Sequence, residues 1–169
     1  MANSILVIGY GNPGRQDDGL GPALAEAVEG LRIPGVTVES DYQLTVEDAA
    51  AVAAHRYVVF ADAWAGGRSP FFFRPVHPAA HTSFSTHSVG PEVVLALAHN
   101  LFHAETKGYA LGIRGYRFDE FGETLSDEGR KNLAAALGFM VPILEARSFD
   151  AVAPADIDLQ SPGQMRVSQ

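Results

Sequence analysis

The sequence predicts an α/β domain, a three-layer sandwich in which a mostly parallel, twisted sheet of about five strands is covered by helices on both faces. Three observations support this prediction. Short, continuously apolar runs are typical of strands buried on both faces. These runs alternate with longer segments of helical character, and short turn-rich connections join the two. The length of 169 residues favours a single domain.

The strands are predicted at five apolar runs, which are residues 5–8, 36–39, 57–62, 71–73 and 109–113. The first is β-branched and ends in glycines, and the third is apolar up to Asp62. If these two strands are neighbours, Asp18 and Asp62 lie beyond the carboxyl ends of adjacent parallel strands. In open α/β sheets, ligand sites form at this edge, where the strand order switches direction.

Four helices are predicted between and after the strands. Pro22 stands near the start of the first, where its missing N–H costs nothing. Thr45 is the predicted N-cap of the second, which ends near residue 55, and the third covers about residues 88–102. Ser126 is the predicted N-cap of the last helix, which runs to about residue 146. The domain is therefore predicted at residues 1–147, and the polar, proline-containing composition of residues 148–169 predicts a flexible tail.

Composition excludes several classes of function. The net charge is −8 with no block of Lys or Arg, which argues against nucleic-acid binding because nothing would neutralise phosphates. There is no cysteine, so neither disulfides nor thiolate metal sites are possible. No apolar run is long enough to span a bilayer, and no export signal is expected before the first strand. We expect a cytoplasmic protein without a membrane partner.

The turn after the first strand matches the pattern G-x-G-x-x-G at Gly9, Gly11 and Gly14. A dinucleotide-binding protein is therefore one alternative, with Glu39 or Asp41 as its acidic residue. Two physical points count against it. The helix starts about ten residues after the turn, whereas in dinucleotide sites it follows directly and its N–H groups hold the pyrophosphate. Asp17 and Asp18 would also repel phosphates.

A purely structural interpretation of this turn is also open. The glycines then shape a tight turn, and the aspartates cap the first helix. We assign that supporting role to Asp17, together with Gly9, Gly11, Asn12 and Gly19 of the turn. We assign the chemistry to Asp18.

Asp18, Asp62 and His87 form a candidate metal site. Asp62 ends a buried strand without a charged neighbour in the sequence, so its carboxylate calls for a cation or a functional role. His87 precedes a predicted helix and can face the same crevice. Two carboxylates and an imidazole suit zinc or nickel better than magnesium, and three ligands leave coordination positions open. The plainer alternative is a helix-capping histidine and an isolated strand-end aspartate.

The other histidines carry less signal. His99 and His103 are spaced as in zinc-protease helices, but Asn100 stands where that motif needs its general-base glutamate, so we interpret both as helix-surface residues. His77 and His81 lie in a loop and show no ligand spacing.

Taken together, the motifs resemble the [NiFe] hydrogenase maturation endopeptidases. The resemblance is carried by Gly-x-Gly-Asn at residues 9–12, Asp-Asp-Gly-x-Gly at 17–21, Ala-Asp at 61–62 and His-x-x-Gly at 87–90. The segments Gly-Ile-Arg-Gly at 112–115 and Phe-Gly-Glu-Thr-Leu-Ser at 121–126 are also similar to those before the last helix of that family. The similarity covers roughly residues 3–145 in order and spacing, and it excludes the tail.

The resemblance implies a specific activity. Members of that family remove a C-terminal extension from the large-subunit precursor of a [NiFe] hydrogenase, after nickel has been inserted. The positions that match their metal-contacting residues are Asp18, Asp62 and His87, with Asp18 an accepted variant of Glu or Asp. Nickel is then supplied by the precursor, which is the expected partner, and zinc or cadmium could occupy the site in vitro.

The residues suggest how such an enzyme selects its substrate. A site completed by the substrate's own metal distinguishes loaded from empty precursor, whereas a resident zinc would cleave any accessible peptide. Asp18 is the expected catalytic residue, assisting attack of water on the scissile carbonyl. A nickel-sensing chaperone on the same scaffold is the main alternative. Tyr116, Phe118, Phe121 and Trp64 are candidate partner anchors, with local packing as the alternative.

Overall fold

The protein forms an α/β sandwich around one five-stranded sheet, as the sequence predicts. It is described here from a computed structural model covering residues 4–80 and 89–150. The strands are β1 (Ile5–Tyr10), β2 (Val36–Asp41), β3 (Tyr57–Trp64), β4 (Phe71–Val76) and β5 (Lys107–Arg114). The helices are α1 (Leu20–Leu31), α2 (Asp48–Ala53), α3 (Pro91–Phe102) and α4 (Asp127–Ala146), and a 3₁₀ turn (Gln16–Gly19) precedes α1.

The sheet has the order β2-β1-β3-β5-β4. All neighbouring pairs are parallel except β4 and β5, which are antiparallel at one edge. From β1 the chain first passes to β2 on one side, and β3 then lies on the other side. The strand order therefore switches between β1 and β3, and the carboxyl ends of these two strands are where open α/β sheets form their ligand crevice.

Two apolar clusters cover the two faces of the sheet. One joins α1 and α4 to one face, with Leu24 and Met140 among its fully buried members. The other joins α2 and α3 to the opposite face, with Phe60 and Leu95 at its centre. The central strands β1 and β3 are almost continuously apolar because both of their faces are buried, which agrees with the three-layer prediction.

Several boundaries differ from the predicted ones. β3 continues two residues past Asp62, because the strand pairs with β5 as far as Trp64. Thr45 is not the N-cap of α2, since the helix starts at Asp48 after Glu47; instead the Asp48 carboxylate accepts a hydrogen bond from the Thr45 N–H. Ser126 does cap α4, accepting from the Gly129 N–H at 3.0 Å.

The core extends beyond the predicted end of the domain. Phe149 is buried and stacks on Tyr109 with ring centroids 4.4 Å apart. The chain is thus attached to the sheet two residues past residue 147, and the rest of the predicted tail, residues 151–169, lies outside the described residues. No helix in the described ranges has the length and hydropathy that crossing a bilayer requires.

Candidate active site

The glycines of the first turn allow α1 to approach the sheet closely. A Cβ on Gly9 would overlap the Gly21 carbonyl of α1, and one on Gly11 would overlap the carbonyl oxygen of Asp18. Gly11 also has a φ of 139°, a backbone conformation that residues other than glycine rarely adopt. The turn therefore brings the backbone of Asp18 against the end of β1, as its predicted supporting role requires.

The N–H groups of this turn are already bound within the protein. Asn12 donates its backbone N–H to Asp18 Oδ2 at 2.8 Å, and Gly14 donates to Asn12 Oδ1 at 2.8 Å. The Gly11 N–H bonds the carbonyl of Asp41. These donors would be needed to hold a phosphate, so the turn is built around the Asp18 carboxylate and does not form a phosphate cradle.

Asp62 lies near the carboxyl end of β3, facing the same crevice. Burial raises the pKa of its carboxyl to about 7, and the nearby Asp18 carboxylate adds to the rise. Hydrogen bonds from the Ala63 N–H, at 2.8 Å, and from the Tyr10 hydroxyl act in the opposite direction. Two carboxylates whose charges oppose each other in a partly buried crevice favour either a proton or a cation between them.

Tyr10 is a site residue that sequence reasoning missed. Its hydroxyl donates to Asp62, and burial together with the charges of Asp62 and Glu92 raises its pKa, so it remains a donor. The signal was present in the strand register: Gly9 pairs with Ala61, which places Tyr10 beside Asp62 on the same face. That register becomes known only with the fold.

Glu92 is the second missed residue. It lies in the first turn of α3, where a negative charge is favourable at the helix N-terminus. The negative charge of its carboxylate contributes to the raised pKa of the Tyr10 hydroxyl. Glu92 stands five positions after His87 in the sequence, and its role was hidden because it also satisfies the ordinary pattern of a helix start.

His87, the third predicted ligand, lies outside the described residues. The structure brings Asp18 and Asp62 together, and the ligand set of Asp18, Asp62 and His87 stays a prediction. Within residues 4–80 and 89–150, no three His, Cys, Asp or Glu side chains are arranged to hold a metal ion.

Asp17 has a structural role that differs from the predicted one. No side chain caps α1 or the 3₁₀ turn, so the prediction that Asp17 caps the first helix is wrong. The Asp17 carboxylate is fully buried and accepts hydrogen bonds from the backbone N–H groups of Tyr116, Arg117 and Ser126 and from the Ser126 hydroxyl. Burial acts to raise its pKa, but these hydrogen bonds outweigh it and lower the pKa.

The predicted aromatic anchors divide into two groups. Trp64 is buried and contacts Phe72 edge to face at 4.1 Å, so it belongs to local packing. Tyr116 and Phe121 are 39% and 82% exposed, in the loop that Asp17 holds. The Arg15 guanidinium lies 4.9 Å from the Phe121 ring centre. Tyr116 and Phe121 therefore remain candidate anchors for a partner, because exposed aromatic rings are common at protein interfaces.

The remaining histidines are accounted for by local structure. His99 Nε2 hydrogen-bonds the Thr106 carbonyl at 2.7 Å, and His103 is exposed at the end of α3. The interpretation of both as helix-surface residues agrees with these positions. His77 is exposed after β4, and His81 lies outside the described residues.

Comparison with known proteins supports the motif resemblance through the fold. No protein-family model matches the sequence, and no curated protein matches it. Solved structures do match. The [NiFe] hydrogenase maturation protease HycI from Thermococcus kodakarensis is 21% identical, with a TM-score of 0.67 over 85% of this chain and 93% of that one. The maturating endopeptidase HybD from E. coli is 20% identical, with a TM-score of 0.61 over 85% and 93%.

A third structure, the hydrogenase 2 maturation peptidase from a Thaumarchaeota archaeon, is 20% identical with a TM-score of 0.62, over 83% of this chain and 97% of that one. The chain therefore has the fold of the hydrogenase maturation proteases along nearly the whole length of each. Identities near one fifth establish this fold, and the chemistry has to be argued from the site.

Proposed function

We propose that this chain is an endopeptidase that removes a C-terminal extension from the nickel-loaded large-subunit precursor of a [NiFe] hydrogenase. The observation that carries the proposal is that Asp18, in the 3₁₀ turn after β1, lies close enough to Asp62, near the carboxyl end of the adjacent strand β3, for its charge to raise the pKa of the Asp62 carboxyl. The shared fold and the motif resemblance support the same function.

The residues present fit a divalent metal that arrives with the substrate. Asp62 is held by Tyr10 and Ala63 yet has its charge opposed by burial and by Asp18, so a cation would relieve that repulsion. Asp18, Asp62 and His87 are the proposed contacts, and they would leave positions for the precursor's own ligands to nickel. Zinc or cadmium could occupy the same set in vitro.

The proposed chemistry is hydrolysis assisted by a carboxylate. Asp18 accepts a proton from water as the water oxygen bonds to the scissile carbonyl carbon. The carbon–nitrogen bond then breaks, and the proton passes to the leaving amine. Asp62 is held by Tyr10 to contact the substrate nickel, so only a precursor that carries the metal places its scissile bond beside Asp18.

The test is a cleavage assay with nickel-loaded and nickel-free precursor. An endopeptidase of this kind converts only the loaded precursor to a shorter chain, and mass spectrometry identifies the released C-terminal peptide. Tight binding of the loaded precursor with no change in its size would instead identify a nickel-sensing chaperone.

A further inference from the structure

A groove lies between α1 and the edge strand β2, and neither Asp18 nor Asp62 lines it. Its volume is about 390 Å³. Pro22 and Ala25 of α1, Val38 of β2 and Leu125 from the loop before α4 supply an apolar floor. The proposed hydrolysis uses none of these residues.

The rim of the groove is acidic and unpaired. Glu26 and Glu29 of α1 and Glu123 from the loop line it, and no Lys or Arg does. Within the described ranges, the side chains of these three glutamates make no hydrogen bond or ion pair; the one ion pair there joins Arg130 and Asp127. A basic occupant would supply the missing counter-charge.

The same groove borders backbone groups that are free to pair with a peptide. The Ile5 N–H bonds the Gly35 carbonyl, and the Gly11 N–H bonds the Asp41 carbonyl. With the parallel register of β1 and β2, these bonds turn the odd-numbered residues of β2 toward β1. The N–H and C=O of Val38 and Ser40 therefore point outward, along an edge where no described strand pairs with β2.

The groove leads toward the candidate active site. A second cavity of about 190 Å³ shares Pro13, Pro22 and Ser40 with it and ends at Gly11. Gly11 lies against the backbone carbonyl of Asp18, so the two cavities together extend from the groove to the turn that carries Asp18.

We infer that this groove binds an extended, basic segment of the precursor substrate as an added strand along β2, with its Lys or Arg side chains against Glu26, Glu29 and Glu123. This inference rests on the proposed function for the identity of the substrate. Main-chain pairing provides affinity in such strand addition, and the side-chain contacts provide selectivity. The chain's own residues 151–169 are a poor match, because Asp156, Asp158 and Arg166 give them a net charge of −1 (one positive minus two negative).

The first experiment measures binding of a peptide with alternating lysine and valine by fluorescence anisotropy, using the complete chain. We expect saturable, salt-sensitive binding, and about tenfold weaker binding to the triple variant Glu26→Gln, Glu29→Gln and Glu123→Gln. The matched control is Glu47→Gln, Glu105→Gln and Glu145→Gln, which also changes the net charge from −8 to −5 (−8 plus three) at exposed positions away from the groove. Equal losses in the two variants would overturn the inference.

A second measurement requires no variant protein. The same peptide with N-methyl groups on alternating backbone nitrogens cannot donate to β2, and we expect its affinity to fall while its charge is unchanged. Undiminished binding of the N-methyl peptide would refute strand addition. Competition by a synthetic peptide of residues 151–169 would assign the groove to the chain's own C-terminal segment and overturn the inference. Loss of peptide binding when two copies of this chain form a dimer would assign it to the second copy and overturn the inference as well.

The third measurement links the groove to processing. With nickel-loaded precursor, the groove triple variant should raise KM by about tenfold and leave kcat within about twofold, since it removes binding energy and not chemistry. If the wild-type chain binds the basic peptide at the groove but cleaves no precursor, the proposed function fails while the groove remains a peptide site. If it cleaves precursor with a KM that the variant leaves unchanged, the groove inference alone fails.

Discussion

The carboxylate of Asp17 accepts two hydrogen bonds from Ser126, from its backbone N–H at 2.8 Å and from its hydroxyl at 2.6 Å, across 109 residues of sequence. Ser126 in turn caps α4 through the same hydroxyl oxygen. One buried carboxylate thus joins the turn that carries Asp18 to the start of the last helix. Asp17, the residue next to the proposed catalytic carboxylate of Asp18, is therefore held rigidly by the fold.

Replacing Asp17 with Asn should destabilise the protein substantially. The amide keeps the shape of the side chain but removes the charge that four donors now share, and buried hydrogen bonds to a charged group contribute about 1.5–3 kcal/mol each. We expect a loss of at least about 2 kcal/mol in the free energy of unfolding, measured by urea denaturation. Asp119→Asn, at an exposed position, is the matched control. An Asp17 variant as stable as this control would contradict the structural role.

The same carboxylate predicts a dependence of stability on acid. Because the folded pKa of Asp17 lies below its ordinary value of 3.8, its contribution is complete above that value and is lost as the pH falls through the lower folded pKa. The difference in unfolding free energy between wild type and Asp17→Asn should therefore shrink toward low pH. A difference that stays constant between neutral and strongly acidic pH would count against the charge-based explanation.

The contribution of Asp62 to stability should change with pH in the opposite direction to that of Asp17. Its folded pKa is raised from 3.8 to about 7, so the stabilisation by its protonated form is complete below the unfolded value and is lost as the pH rises through about 7. In metal-free protein, Asp62→Asn should therefore gain stability relative to wild type as the pH rises from about 4 to about 7, with an upper limit of about 4 kcal/mol. Thermal unfolding with chelator at several pH values measures this. A difference in stability between wild type and Asp62→Asn that stays constant between about pH 4 and about pH 8 would refute the prediction.

Tyr10→Phe should weaken the site without removing a proposed metal contact. The hydroxyl holds Asp62, and partners of this kind typically change metal affinity or activity by 10- to 100-fold. We expect cadmium affinity, measured by calorimetry, to fall by about tenfold, and processing of loaded precursor to fall with it. Tyr109→Phe, near the amino end of β5, is the control. Equal cadmium affinity in wild type and Tyr10→Phe would exclude this positioning role.

Phe121→Ala tests whether the loop held by Asp17 contacts the partner. The ring is 82% exposed, so its loss should leave the melting temperature nearly unchanged. If it anchors the precursor, KM should rise by about tenfold, as for a moderate interface anchor. Phe102→Ala removes a 51% exposed ring at the far end of α3 and serves as control. Identical KM values for the two variants would show that the Phe121 ring is not an anchor.

The sequence was sufficient to predict the sheet and its covering helices, because continuous apolar runs and a glycine turn are local signals. The adjacency of β1 and β3 was only a condition of the predicted site, and the fold supplies it. The same local signals misplaced Asp17, whose position just before a helix resembles a cap. Its real partner, Ser126, is brought to it only by the packing of α4 against α1. A hydrogen bond between residues 109 positions apart cannot be recognised from a short window of sequence.

Tyr10 and Glu92 were missed for a related reason. Tyr10 has the position of an apolar residue at the end of a strand. Its contact with Asp62 depends on the register of β1 and β3, which are separated in sequence by α1, β2 and α2. Phe149 was assigned to the tail because the polar composition after it masks one buried ring. Asp18 and Asp62 could be proposed from the sequence because a carboxylate is a candidate for chemistry by its residue type alone. Tyr10 and Glu92 could not, because their roles depend on which residues they contact.

The most direct test of the central claim is the rate of cleavage of nickel-loaded precursor by wild type, Asp18→Asn and Asp62→Asn, compared with Asp127→Asn. Asp127 is exposed and pairs only with Arg130 among the described residues, so its variant should match wild type. The account predicts that each of the two site variants, while remaining folded, cleaves at least about 100-fold more slowly, the low end of what a general base contributes. Wild-type cleavage by a folded Asp18→Asn or Asp62→Asn variant would contradict it.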